Sequence, residues 1–146
     1  MDTRIEEIAR LVAASAPLVV KTLDPADRVA VRQWDAFVAA CPEATFFHKS
    51  GWQQVLKEVF AHRTHFLYAE RSGVIEGVLP LAQVKSVLFG NTLVSLPFAV
   101  YGGVAANSAA AVEALEGEAQ AIATRLGVDH LELRNLRHRH PDWPLQ

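Results

Sequence analysis

The chain is short of cysteine and of any surplus of one charge, and it has no long uninterrupted apolar run. Its one cysteine, Cys41, excludes an intrachain disulfide and a thiolate metal cluster, and such a count fits a reduced, cytoplasmic setting. Cys41 itself reads as a small hydrophobe at a helix end. Lys and Arg number 14 against 16 Asp and Glu, so the chain as a whole lacks the basic footprint of a nucleic-acid binder, although a local patch stays open. The longest apolar stretch, near residues 93–106, is broken by Pro97, Gly102 and Gly103, well short of the roughly 20 residues that cross a bilayer. The N-terminal segment MDTRIEEIARLVAASAP is acidic and amphipathic, unlike a signal peptide, which is basic and then apolar. Against these absences, 51% of the 146 residues are hydrophobic, enough for one core in one domain.

Several catalytic signatures are missing too. The chain has no G-x-S-x-G elbow, no G-x-x-x-x-G-K-[ST] loop and no G-x-G-x-x-G fingerprint, which removes the main support for several common enzyme classes. The chain has six histidines, with His138 and His140 flanking Arg139. No H-E-x-x-H or cysteine-rich spacing accompanies them, so a solvated or phosphate-contacting "RHRH" is the better reading and no metal is expected. His62 and His65 bracket the start of a strand and read as structural.

The periodicity gives the order of elements. Thr3 with Glu6 forms a capping-box pattern, followed by Ile5, Ile8, Leu11 and Val12, which predicts a helix over 3–14. Residues 17–23 read as a strand. Asp24 and Pro25 are placed to open a second helix, with Val31, Trp34, Phe37, Val38 and Cys41 on one face. Ser50 with Gln53 predicts a third, with Trp52, Val55, Leu56 and Val59 as its stripe. Residues 63–86 read as two strands turning at Arg71, Ser72 and Gly73; Pro80 in the second marks an edge, a bulge or an unpaired N–H. Gly90 and Asn91 turn into a third strand over 93–101. Ser108 opens a long helix with Val112, Leu115, Ala119, Ile122 and Leu126 on one face, closed by Gly127. A last strand follows, with Leu131 and Leu133 on one face and His130, Glu132 and Arg134 on the other, and residues 137–146 form an irregular tail. A strand reached through a long crossover helix lies parallel to its neighbour, so the class is α/β (α+β), a mixed and mostly antiparallel sheet with helices on both faces.

Three stretches, in order, carry a family resemblance: "WDAFVAACPEATFFHKSGWQQVL", "HRTHFLYAERSGVIEGVLPLAQVKSVLFGNTLVSLPFAVYGG", and "LGVDHLELRN" with "RHPDWP". From Trp34 to Pro144 they resemble the Fem-type aminoacyltransferases, most closely the FemAB-like proteins of exosortase (PEP-CTERM) systems. The hairpin "ERSGVIEGVLPLA" looks like the central hairpin of the acetyl-CoA-dependent N-acetyltransferases, the GNAT fold on which Fem proteins are built twice over. The Q/R-x-x-G-x-G/A pyrophosphate loop of those acetyltransferases is missing, which speaks against a self-contained acetyl-CoA enzyme.

The resemblance implies that residues 1–146 are one GNAT-like domain, the N-terminal half of a two-domain protein that moves an aminoacyl group from charged tRNA to an amine of a peptidoglycan or envelope precursor. It implies no cofactor, metal or redox group, and a tRNA partner engaged through the second domain; a homodimer is the other way to cover the open face. A non-catalytic binding or scaffold module of the same fold is the rival reading. In the family a lysine just after the tryptophan of "FF-x-x-x-x-W" holds precursor phosphates; Lys57 is the candidate, one place later than the pattern, and equally reads as a solvated face. His48 and Lys49, before a helix N-terminus, are an alternative anion site or a polar loop. Trp52 and the segment Tyr101, Gly102 and Gly103 match cleft-lining positions, and the glycines read equally as a strand exit.

Overall fold

The computed structural model describes residues 2–88, 90–95 and 102–134. In chain order the elements are α1 (Thr3–Ser15), β1 (Val19–Thr22), α2 (Arg28–Ala40), a short 3-10 helix (Phe46–His48), α3 (Gly51–Glu58), β2 (Arg63–Arg71), β3 (Val74–Ser86), β4 (Gly90–Ser95), β5 (Ala105–Ala106), α4 (Ala109–Leu126) and β6 (His130–Glu132). The strands lie in the order β1-β2-β3-β4-β6, with β5 extending the β4 side along β3. Every pairing is antiparallel except β4 with β6, which run parallel across the α4 crossover as the connection rule requires.

The sheet is covered on two faces. On one, α2 and α3 bury Trp34, Phe37, Val38 and Leu56 against Phe66, Tyr68, Val78 and Ala82. On the other, α4 lays Ala111, Leu115, Ala119 and Ile122 over Leu67, Ala69, Leu79, Leu81 and Leu93. The small residues of α4 meet a gap in the sheet at Gly77, where a Cβ would sit 2.9 Å from Leu115 Cδ1 and 3.0 Å from Ala106 Cβ. Glycine is therefore what lets the helix sit so close.

The turn chemistry matches expectation in two places. Ser72 and Gly73 take φ of 51° and 77° between β2 and β3, the left-handed pair that suits a two-residue hairpin. Ser108 caps α4 by accepting from Ala111 N at 3.2 Å, and Gly127 closes it at φ 63°.

Helix starts differ from expectation where a nearby side chain competes for the same amides. Asp24 does not open α2: its carboxylate accepts from Ala26 N at 2.9 Å, and Asp27 caps the helix three residues later. Asp2, accepting from Arg4 N, caps α1 in place of Thr3. Ser50 and Gln53 form no capping box. Ser50 Oγ donates to Asp35 Oδ2 at 2.7 Å, and Gln53 Nε2 reaches the Leu23 carbonyl at 3.1 Å, so Gln53 and Leu56 make the buried face of α3 while Val59 is exposed. The stripe of α1 is likewise exposed along Ile5, Ile8, Leu11 and Val12. The third meander strand ends at Ser95; the rest of its expected span, 96–101, lies outside the described residues.

Candidate functional site

Two described segments, β4 and β5, pair with the same edge of β3. Ser95 pairs with Leu81 and Ala105 pairs with Val78, so residues 96–104 fall between two pairings that only Leu79 and Pro80 separate on β3. Pro80 pairs with Phe66 of β2 in unbroken register, and the shift in this hairpin lies instead between Ala69 and Glu70, so no bulge sits at the proline. Gly103 is joined to the segment that follows β6, its N–H donating to Arg134 O.

The parallel pair parts at the carboxyl ends of β4 and β6. Below them the register runs Thr92 with His130, Leu93 with Leu131 and Val94 with Glu132. At the top, Ser95 Oγ accepts from Arg134 N at 2.6 Å, and Gly103 N donates to Arg134 O at 3.0 Å. The backbone of Gly103 thus sits against the end of β6, in the region outside the carboxyl ends of parallel strands where open α/β sheets place ligands.

His48 holds the same glycine from the other side. Thr45 N donates to Nδ1 at 3.0 Å, which leaves the proton on Nε2 to be donated to Gly103 O at 2.7 Å. Trp34 Nε1 donates to His48 O at 2.7 Å, so the buried indole anchors the 3-10 helix to the core. His48 is 2% exposed. Burial pushes its pKa below the usual histidine value, against the opposing pull of the Gly103 carbonyl. Its ring is engaged inside the chain, so any part it plays toward a ligand runs through Gly103.

Beside the 3-10 helix lies an aromatic shelf. Phe46 and Phe47 both approach Trp52, with ring centroids 5.9 and 5.8 Å away, and Lys49 Nζ lies 5.2 Å over the Phe46 ring. Phe46 is exposed and Trp52 half-buried. Lys57 is exposed at the last turn of α3, and five positions carry it about 140° round the helix from Trp52. The cation at the shelf is therefore Lys49. Of the residues singled out from sequence, the structure bonds His48 to Gly103 and sets Lys49 and Trp52 against Phe46, while Lys57 stands apart on α3. Tyr101 lies outside the described residues.

Sequence reasoning missed Ser95, Glu132 and Arg134 as site residues. Glu132 and Arg134 share a strand face, and Arg134 Nε donates to Glu132 Oε1 at 2.6 Å with the two side chains 34% and 26% exposed, Arg134 and Glu132 respectively. Leu131 and Leu133 pack toward α4 on the opposite face. The alternation of charge and leucine in "HLELR" was the available signal; the parallel neighbour that makes it meaningful is a tertiary fact.

The start of α4, by contrast, is furnished with acid. Ser108 Oγ donates to Glu76 Oε1 at 3.0 Å, Glu76 Oε2 pairs with Arg71 Nε at 2.9 Å, and Glu43 Oε2 accepts from Ala106 N at 3.4 Å. The first turn of α4 is capped by the Ser108 hydroxyl, which accepts from Ala111 N while donating to Glu76.

No family model matches the chain, and no curated protein matches it. Among solved structures, a GNAT family acetyltransferase from Staphylococcus aureus subsp. aureus USA300_TCH1516 superimposes with a TM-score of 0.56, covering 88% of this chain and 98% of that one at 11% identity. The fold is GNAT-like. The likeness accounts for the mixed, mostly antiparallel sheet, the helices on both faces and the parallel pair joined through α4. Among the described residues of this GNAT-like chain, no helix is long and apolar enough to cross a membrane.

Proposed function

We propose that this GNAT-like chain is the substrate-binding part of an N-acyltransferase of the Fem type, taking an aminoacyl group from charged tRNA to an amine of a peptidoglycan or envelope precursor. The observation that carries the reading is the parting of β4 and β6 at Ser95 and Arg134, with the backbone of Gly103 held between His48 and the end of β6. In this reading the strand ends and the shelf of Phe46 and Trp52 orient the acceptor, and proximity rather than a dedicated nucleophile supplies the rate. By the same reading, Gly102, Gly103 and Trp52 line the cleft, Lys49 or Lys57 meets the precursor's phosphates, and His48 positions Gly103. The missing Q/R-x-x-G-x-G/A loop supports an acyl donor other than an acyl-CoA. The setting is cytoplasmic, and the open side is completed by a second domain or a second copy of the chain.

The test is acyl transfer followed by mass spectrometry, with charged tRNA or acetyl-CoA as donor and precursor amines as acceptors. Peptide-bond formation from charged tRNA alone supports the reading, while transfer from acetyl-CoA alone replaces it with an ordinary acetyltransferase. If the gene encodes no second sheet-and-helix domain after Gln146 and the chain runs as a monomer, the two-part arrangement fails. A second reading, a binding module without catalysis, is favoured by His48, since the imidazole that reaches the glycine turn is spent on internal bonds. Precursor binding without transfer from either donor would support it.

A further inference from the structure

The turn between β3 and β4 is apolar. Val87 is fully exposed and Leu88 is 85% exposed, the two highest exposures among the large hydrophobic side chains described. Turns favour glycine, proline, asparagine, aspartate and serine, which suit the turn backbone or hydrogen-bond to it, whereas this aliphatic pair is held in solvent and adds no packing. Phe89, the next residue, lies outside the described residues. The hairpin also reaches past its neighbours. β2 begins at Arg63 opposite Gln83, so residues 84–86 of β3 run on about 10 Å without it, and β6 starts only at His130, opposite Thr92. Cations stand at the base of this projection. Arg63 is in step with Leu67, and Lys85 with Leu81, so both fall on the α4 face of the sheet. Both are exposed and form no ion pair among the described residues, which leaves their long side chains free to reach outward. The acids of this end are held to the chain. Asp129 accepts from Asn91 N at 2.9 Å, Glu58 from Gln54 Nε2 at 3.0 Å and Asp24 from Ala26 N at 2.9 Å, while Glu118 pairs with Arg125 at 3.6 Å.

We propose that this tip docks the protein on the surface of an anionic phospholipid bilayer, with Val87 and Leu88 entering the interfacial region and Arg63 and Lys85 meeting headgroup phosphates. The makeup of the tip decides the partner. A nucleic acid is met mainly by cations at its phosphates, which gives two exposed aliphatic side chains nothing to do. A stable protein interface takes about 800 Å² from each partner, far more than two side chains at a turn supply. A bilayer needs no shaped counterpart: a short apolar projection enters it, and cations reaching the headgroups add an attraction to anionic lipid. The tip stands at the Gly90 end of β4 and the strand-end site at its Ser95 end. Docking therefore leaves that site unengaged, and the proposal does not rest on the transferase reading.

The experiment is co-sedimentation of the full chain with vesicles of a two-to-one mixture of phosphatidylcholine and phosphatidylglycerol, and with vesicles of phosphatidylcholine alone. Binding to the mixed vesicles, weakened by salt, is the expected result. Leu88→Asp and Val87→Asp should each weaken it by about tenfold, the low end of what burying one such side chain is worth. Arg63→Gln combined with Lys85→Gln should bring binding to the mixed vesicles down to that on phosphatidylcholine alone. All these substitutions change exposed side chains, and unchanged urea midpoints confirm that each variant is folded. Failure to bind the mixed vesicles overturns the proposal, as does binding that both aspartate variants leave intact. A dimer in sedimentation velocity that Leu88→Asp converts to monomer assigns the tip to a second copy and overturns it too. Binding of transfer RNA that is lost with Arg63 and Lys85, in a chain that ignores vesicles, assigns the surface to nucleic acid instead. Docking in a protein that transfers no acyl group would leave this surface standing and remove the transferase reading, and transfer without docking would do the reverse.

Discussion

The two faces of the sheet are built on different principles. The core of the α4 face is aliphatic and small, Leu79, Leu81 and Leu93 beneath Ala111, Leu115 and Ala119. The opposite face interleaves aromatic packing with hydrogen bonds of fixed direction: Trp34 stacks on Phe66 at 5.5 Å while its indole N–H holds the 3-10 helix, and His48 carries that hold to Gly103. Dispersion and burial do not specify orientation closely, whereas a buried hydrogen bond does. Both faces bury apolar side chains, but among the described residues only the face of Trp34 and His48 ties them by directed bonds to Gly103.

The largest effect expected from breaking this contrast is on the α4 face. Leu115→Ala should cost about 2–5 kcal/mol in urea unfolding, while leaving the amide shifts of Gly103 and Arg134 near their original positions. Gly77→Ala comes next, at about 1–3 kcal/mol, because the added methyl meets Leu115, Ala106 and Ala111 on a rigid sheet. An unchanged or raised stability would show that α4 can move away freely. On the other face, His48→Phe strips the partners from Gly103 O and Thr45 N, at about 1–3 kcal/mol. Its distinguishing sign is faster hydrogen exchange at Gly103 and Arg134, which Leu115→Ala should not produce under native conditions; unchanged exchange would break the account of His48 as a latch.

The smallest effect is on pH dependence, to which each face contributes one histidine. His48 and His65 both have lowered pKa values, chiefly through burial, with Arg63 and Arg125 adding to the effect at His65. The unfolded chain takes up protons near the ordinary value of about 6.5 while the folded chain resists. Stability is accordingly complete above that pH and falls as the pH drops through it, by at most about 1.4 kcal/mol per pH unit for each histidine. Chemical denaturation at pH 7.5, 6.5 and 5.5 should show the decline, and His48→Phe should flatten it; equal slopes in both proteins would assign the loss elsewhere.

The sequence announced most of the fold because its signals are local. The turn at Ser72 and Gly73, the cap at Ser108 and the stop at Gly127 each depend on residues a few positions apart, and the structure keeps all three. Pro80 was less informative, for it lies in unbroken register with Phe66 of β2. The site was less legible. Ser50 reads as a cap until Asp35, distant in sequence, takes its hydroxyl, and His48 reads as a loop residue until Gly103 arrives at its Nε2. Glu132 and Arg134 resemble any outward face of a strand until β4 is placed in parallel beside them. In each case the deciding partner lies on or beside another element, Asp35 on α2, Gly103 before β5 and Val94 on β4, and the neighbouring residues do not encode it.

The Ser95 hydroxyl gives the molecule a zipper stop. Up to Val94 the two parallel strands are closed by backbone alone, a ladder that any sequence could continue; at Ser95 the link to Arg134 passes to a single side chain. A ladder written in backbone can be shortened only by unfolding it, but one that ends on a hydroxyl can be reset by changing one residue. The link between the two strands beyond Val94 thus hangs on one fully buried hydroxyl, and a point mutation at position 95 removes it.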